Sequence, residues 1–312
     1  VCVRLRSIRS AIAGAGFVVL AAAVLTPAAA NAVSNVSEGS SPSAITSVWA
    51  WGNPIDPATD ARGLGQQQFQ PDALAAFAAE HRLTSVYLSV PWAPQEGAFA
   101  TWLPQAVDAL HGAGVTTVAA LGGDPEWARQ PQLAAQWTHD ALATADFDAI
   151  QFDVEPWASA AGEPDLGVIV PQLSAMFDAA SAVAGGTPIG ADLPWWLEAK
   201  PYGASTAFDS LLPHIDTVAI VAFSDHAAGD DGIVALAQPA ATAASARSVP
   251  FTVGVETDTP AVAGGPQYTF GDDSAVALET QTALARQHFS AIAGYRGITA
   301  EHLLAWQALI AQ

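Results

Sequence analysis

The sequence predicts a (β/α)8 TIM barrel formed by a single domain. Eight short apolar runs of β-forming character alternate with helical segments at the interval of βα units. Residues 44–312 supply enough chain for one large domain of this kind. No G-x-G-x-x-G follows the first run and no P-loop occurs, as an open doubly wound sheet would often carry, so no cofactor is expected.

The elements follow in order. Residues 45–51 form the first strand, stopped by Gly52, Asn53 and Pro54. A helix over 71–82 starts at Pro71 and places Leu74, Phe77 and Ala78 at helical spacing. Strand two, 85–90, ends at Pro91 and Trp92, and the helix over 103–110 is stopped by Gly112 and Gly114. Strand three, 116–121, leads into Gly122, Gly123, Asp124, Pro125 and Trp127, and a helix spans 131–144. Strand four is 150–154, followed by a mostly helical stretch over 166–183. Strand five, 189–193, runs into Pro194, Trp195 and Trp196; strand six, 218–223, ends in Ser224, Asp225 and His226. An alanine-rich helix covers 233–246, and strand seven, 251–255, leads into Glu256, Thr257 and Asp258. Asp272 and Asp273 suit the N-terminus of a helix over 272–288, strand eight is placed at 291–295, and a helix over 300–310 closes the chain.

The first residues stand apart from this fold. Arg4, Arg6 and Arg9 precede an apolar run over 11–25, and small residues then offer cleavage after Ala30 or Ala32. That pattern predicts a secretory signal peptide over 1–32, a secreted, extracellular product and no stable membrane insertion after cleavage. The run falls short of the roughly 20 residues a spanning helix needs. Residues 33–43, rich in serine, read as a flexible N-terminal segment before a barrel over 44–312. Cys2 is the sole cysteine, so the processed chain has no disulfide, thiolate nucleophile or cysteine-based zinc site. Removing 1–32 leaves seven basic against thirty acidic residues, a net charge of −23. Such a charge repels nucleic acid and anionic membrane surfaces.

The strand ends carry the candidate chemistry, because in a barrel they all face one mouth. They bring Trp51 and Asn53, Trp92, Asp124 and Trp127, Asp192 with Trp195 and Trp196, Asp225 and His226, Glu256 and Asp258, and Tyr295. The stretch 147–157 organises them: Asp153 and Glu155 sit two apart, so both point to one side of strand four, with Trp157 beside them. Neighbouring carboxylates raise one another's pKa, which lets one stay protonated while the other is charged. Flat aromatic faces hold sugars in water, so acidic and aromatic side chains together predict a carbohydrate partner. Cleaving a glycosidic bond needs a protonated carboxyl beside the leaving oxygen, here Glu155, and a second group to meet positive charge at the sugar carbon. Glu256, across the mouth, and Asp153, on the same strand, compete for that second role. Simpler structural roles are open to Trp49, Trp102, Trp137 and Trp306 as core, to Asp124 and Asp258 as turn caps, and to His226 as a satisfied partner of Asp225.

Asp148, Ile150, Asp153 and Glu155 resemble the strand-four signature of glycoside hydrolase family 18, D-G-x-D-x-D-x-E, with Ala149 and Gln151 departing from it. The resemblance implies that Glu155 is the general acid and that Asp153 holds an N-acetyl group of the substrate. Asp225 then takes the place of the strand-six aspartate, and Phe223 stands where that family has a tyrosine. Glu155-Pro156 with Glu256 is also similar to the large retaining glycosidase clan A, with Val154 in place of its asparagine. W-x-W near the start, G-D-P-x-W and D-V-E-P-W resemble a group of exported bacterial barrel proteins related to glycosidases. Two other classes stay open: a metal-dependent lyase or hydrolase using Mg²⁺ or Ca²⁺ at the acidic mouth, and a carbohydrate-binding barrel without catalysis.

Overall fold

The computed structural model describes residues 43–158 and 163–312. The predicted signal peptide and residues 33–42 of the flexible segment lie outside the described residues. Eight parallel strands close into a barrel in simple chain order: β1 (Ile45–Ala50), β2 (Ser85–Ser89), β3 (Thr117–Gly122), β4 (Ala149–Phe152), β5 (Ile189–Pro194), β6 (Thr217–Val221), β7 (Phe251–Glu256) and β8 (Tyr295–Glu301), which pairs with β1. Around them run α1 (Pro71–His81), α2 (Phe99–Gly112), α3 (Pro131–Thr144), α4 (Leu166–Val183), α5 (Ala207–Leu211), α6 (Ile233–Ala246), α7 (Ala275–Phe289) and α8 (Leu303–Ile310).

Strand residues alternate between two cores. Val48, Val86, Val118, Ile150, Phe152, Ile220, Val253 and Ala300 point outward, are essentially inaccessible, and pack beneath the helices. Each large member contributes about 1.5–3 kcal/mol by leaving water. Trp102, Trp137 and Trp306 are buried in this layer, and the first two donate their indole N–H to the carbonyls of Phe69 (3.0 Å) and Val90 (3.1 Å).

The barrel interior is more polar. Its floor is a chain of hydroxyls: Ser47 and Thr299 lie 2.6 Å apart, and Thr299 donates to Thr252 at 2.8 Å. The Tyr87 phenol joins all three, and burial pushes its pKa up to about 12. Trp49 fills the next layer with Leu121 and Ala219. Glycine makes room for it: a Cβ at Gly254 would stand 2.8 Å from the Trp49 ring.

The last strand corrects the sequence reading. The apolar run 291–295 is mostly turn between α7 and β8, and the strand is built on Ile298 and Thr299, which favour β structure. Tyr295 is therefore at the opposite end from the mouth, in register with Phe251, the first residue of β7. Its ring lies 5.7 Å from Phe251 and 5.9 Å from Phe289, so it is a core residue rather than a substrate-binding one. The same shift starts α8 at Leu303 and puts Glu301 at the mouth. Other boundaries move by small amounts: Ser274, not Asp272, caps α7 by accepting from the Ala277 N–H at 3.2 Å. The short α5, capped by Thr206, is an element the periodicity of the sequence does not reveal.

Candidate active site

β4 ends at Phe152, whose ring is held among Trp127, Trp137 and Phe177. That anchor turns Gln151 and Asp153 inward. Gln151 donates from Nε2 to Asp192 Oδ1 at 2.7 Å, and Trp49 donates from Nε1 to Asp192 Oδ2 at 3.0 Å. Asp192, only 3% exposed, is thus fixed on both oxygens beneath the mouth. Gly190 permits the Gln151 bond, since a Cβ there would stand 2.1 Å from Gln151 Oε1.

Asp153 and Glu155 lie above this pair, both half-buried. Burial first, and the neighbouring charge of Glu155 second, raise the Asp153 carboxyl to about 8. Burial also lifts Glu155 above its ordinary value, against the pull of the Trp157 indole, which donates to Glu155 Oε1 at 3.4 Å. Asp192 is lifted by burial and then by Asp153, with a smaller push from Glu155. The three carboxyls lie within electrostatic reach of one another, so Asp153 and Glu155 titrate as a pair that gives up its last proton less readily than isolated carboxylates do. Trp157 is buried and edge-on to Trp196, with ring centroids 5.6 Å apart, which fixes the indole beside Glu155. Trp195 is half-buried against the core just past β5.

Gly123 sets how close β3 comes to this group. A Cβ there would stand 2.0 Å from the Asp153 carbonyl oxygen. Gly123→Ala is expected to destabilise the protein by about 1–3 kcal/mol, read by denaturant unfolding. Unchanged stability would mean that β3 and the Asp153 backbone are not in tight contact.

Glu256 ends β7 on the inner side of the same mouth, three strands round from β4, and is 5% exposed. One of its oxygens, Oε1, accepts from the backbone N–H groups of Thr257 and Asp258, both at 2.8 Å. Burial raises it to about 7 although those two bonds favour the anion; the charge it feels is that of Asp258. Asp258 caps Thr259 and bonds His302 Nε2 at 3.2 Å. Glu301, in register with Glu256, and His302 were missed because the last strand was misplaced, although Ile298 and Thr299 carried the signal.

Two sequence-predicted residues do other work. Asn53 is 7% exposed and is not a substrate group: its Oδ1 accepts from Ile55 and Leu64, and its Nδ2 donates to the Arg62 carbonyl, so its amide closes its own loop. Asp225 pairs with His226 and its charge is felt by Asp273, whereas Asp225 is not among the groups that shift Asp153, Glu155 or Asp192. Asp124 caps the turn before Trp127 by accepting from the Glu126 N–H at 2.9 Å, and still lines a cavity with Trp51, Trp92 and the buried Trp127. Among the described residues, no group of three or more His, Cys, Asp and Glu converges as a metal-ligand set.

No protein-family model and no curated protein matches the sequence. Solved structures do. A protein assigned as an alpha-L-fucosidase from Bacteroides thetaiotaomicron is 10% identical, covers 87% of this chain and 91% of its own, and superposes with a TM-score of 0.50. The fold is a (β/α)8 barrel. A chitinase from Chromobacterium violaceum (15% identical, 86% and 98% covered, TM-score 0.49) and a protein assigned as a deoxyribose-phosphate aldolase from Toxoplasma gondii (13%, 85% and 93%, 0.49) match to a similar degree. At 10% identity the likeness to the fucosidase structure is one of architecture.

Proposed function

We propose that the protein is an exported glycoside hydrolase acting on an extracellular oligo- or polysaccharide. Glu155 is the general acid and Asp153 the group that meets positive charge at the sugar carbon. The observation that carries this reading is the placement of the two carboxyls together at the barrel mouth, where burial and mutual charge keep a proton on the pair near neutral pH. The reactive form is the one with the pair's single proton on Glu155: as the glycosidic C–O bond breaks, that proton passes to the leaving oxygen, and the Asp153 carboxylate faces the oxocarbenium-like carbon. Water then adds to that carbon, and its proton returns to Glu155.

Asp153 is preferred to Glu256 as the second group because Asp153 feels the charge of Glu155, whereas Glu256 feels that of Asp258. A glutamine at 256 keeps an oxygen for the Thr257 and Asp258 N–H groups. Glu256→Gln is therefore expected to cost less than about tenfold in turnover, and Asp153→Asn about a hundredfold or more. Reducing-end release from a broad glycan panel measures both. The reverse order, or a glycosyl adduct trapped on Glu256, assigns the second role to Glu256; no cleavage of any glycan by the wild type ends the proposal.

A further inference from the structure

Beside the carboxyl group lies a cavity of about 400 Å³ that the hydrolytic step itself does not use. Its walls are Trp51 from the end of β1, Trp92 from the end of β2, Gly123 and Asp124 after β3, and the buried ring of Trp127. Gly123 is also the residue pressed against the Asp153 carbonyl, so the cavity and the carboxyl group share a wall. Its volume falls in the range of small-molecule sites.

Trp92 is 46% exposed, an unusual position for so large an apolar ring, and the loop that carries it is clamped from one point. Arg62 donates from Nη1 to the carbonyls of Trp92 and Ala93, both at 2.6 Å, and from Nη2 to the Glu96 carbonyl at 2.9 Å. Its Nε and Nη2 bond Asp60 at 2.9 and 2.6 Å, and its guanidinium carbon lies 4.8 Å from the Phe99 ring centre. Ala93 adopts a left-handed φ of 50°, a conformation its own side chain disfavours and the Arg62 bond holds. These five bonds match the five N–H groups of a guanidinium. Arg62 thus has no donor left for an anionic ligand, Arg129, within electrostatic reach of Asp124, is paired with Glu126, and the ionisable wall group is Asp124.

We propose that this cavity is a subsite for an uncharged sugar ring adjoining the bond cleaved at Glu155, with Trp92 as its stacking wall and Arg62 as the positioning residue of that wall. The assignment rests on the glycosidase reading for the adjoining bond and on the cavity's own chemistry for the ligand class. Aromatic faces bind the C–H side of a sugar, and an aromatic lining whose ionisable group is the acidic Asp124 disfavours uronic or sulfated sugars.

Isothermal titration of the full-length Glu155→Gln protein tests it, with chitotetraose, cellotetraose and maltotetraose as neutral probes and tetragalacturonate as the anionic one. At least one neutral probe is expected to bind and tetragalacturonate to bind at least tenfold more weakly. Adding Trp92→Ala is expected to weaken the neutral probe about tenfold. Arg62→Ala is expected to match that loss, and Arg62→Lys to leave it largely unrescued, since an ammonium cannot span five acceptors. In the otherwise wild-type enzyme the Arg62→Ala change falls on KM more than on kcat, with a thermal melt as control for folding. Binding within twofold of the parent after Trp92→Ala, equal binding of the anionic probe, or no binding of any neutral probe overturns the subsite. Trp92-dependent binding without wild-type cleavage of the bound saccharide instead overturns the hydrolase and leaves the subsite standing.

Discussion

Glu155→Gln is expected to lower hydrolysis about a thousandfold while leaving the fold intact. Glutamine keeps an oxygen where the Trp157 indole donates at 3.4 Å, so the side chain holds its place and loses only the proton it can give. The diagnostic is the leaving group. A dinitrophenyl glycoside departs without protonation, so the variant should regain most of its cleavage rate on such a substrate while staying slow on a natural glycan. Equal losses on both would mean that Glu155 positions substrate rather than protonating it. Unchanged activity on every cleaved glycan would remove it from the mechanism.

The second large effect concerns stability against pH. Asp153 is raised to about 8 and Glu256 to about 7, each from an ordinary carboxylate value in the unfolded chain. Between the unfolded and folded values the native state holds protons that the unfolded state has released. The slope of unfolding free energy with pH is then negative, and stability present in mild acid is lost as pH rises from about 4 to about 8. Each fully affected carboxyl contributes on the order of 1 kcal/mol per pH unit. Melting temperature is therefore expected to fall steadily over that window, opposite to a protein whose carboxylates are salt-bridged. Asp153→Asn removes one proton-linked group, so it should flatten the curve and raise the melting temperature at pH 8 by about 5 °C or more. A flat profile from pH 5 to 8 would show these carboxyls ionised and well hydrated. If the variant is less stable than the parent at pH 8, Asp153 is held by bonds to its anion instead.

Much of this was legible in the sequence, for reasons that can be traced. β1 to β7 are found because parallel strands under helices are apolar runs bounded by turn residues, and Pro71 and Pro131 mark helix starts. The position of Asp153 and Glu155 at the end of β4 is legible because two acidic residues close such an apolar run. The last strand was lost because Arg296 and Gly297 break its apolar pattern while the run 291–293 imitates one. That slip moved Tyr295 to the mouth and hid Glu301 and His302. The partners of Asn53 and Asp225, Leu64 and Arg62 for one and His226 and Asp273 for the other, are not legible for a different reason: they are set by loop geometry that residue type does not encode. The clamp of Arg62 on the Trp92 loop spans about thirty residues and has no local signature.

The hydroxyl chain on the barrel floor has a bearing on how the chain completes itself. Thr252, Thr299, Ser47 and Tyr87 come from β7, β8, β1 and β2, so the chain straddles the seam where the final stave meets the first. A slip of one residue at that seam would turn these groups into oily surroundings without mates, whereas a seam of plain aliphatic side chains would tolerate several alignments. Closure is thereby keyed to a single alignment, and a nascent polypeptide that has not yet delivered Thr299 leaves Ser47 and Tyr87 waiting for it.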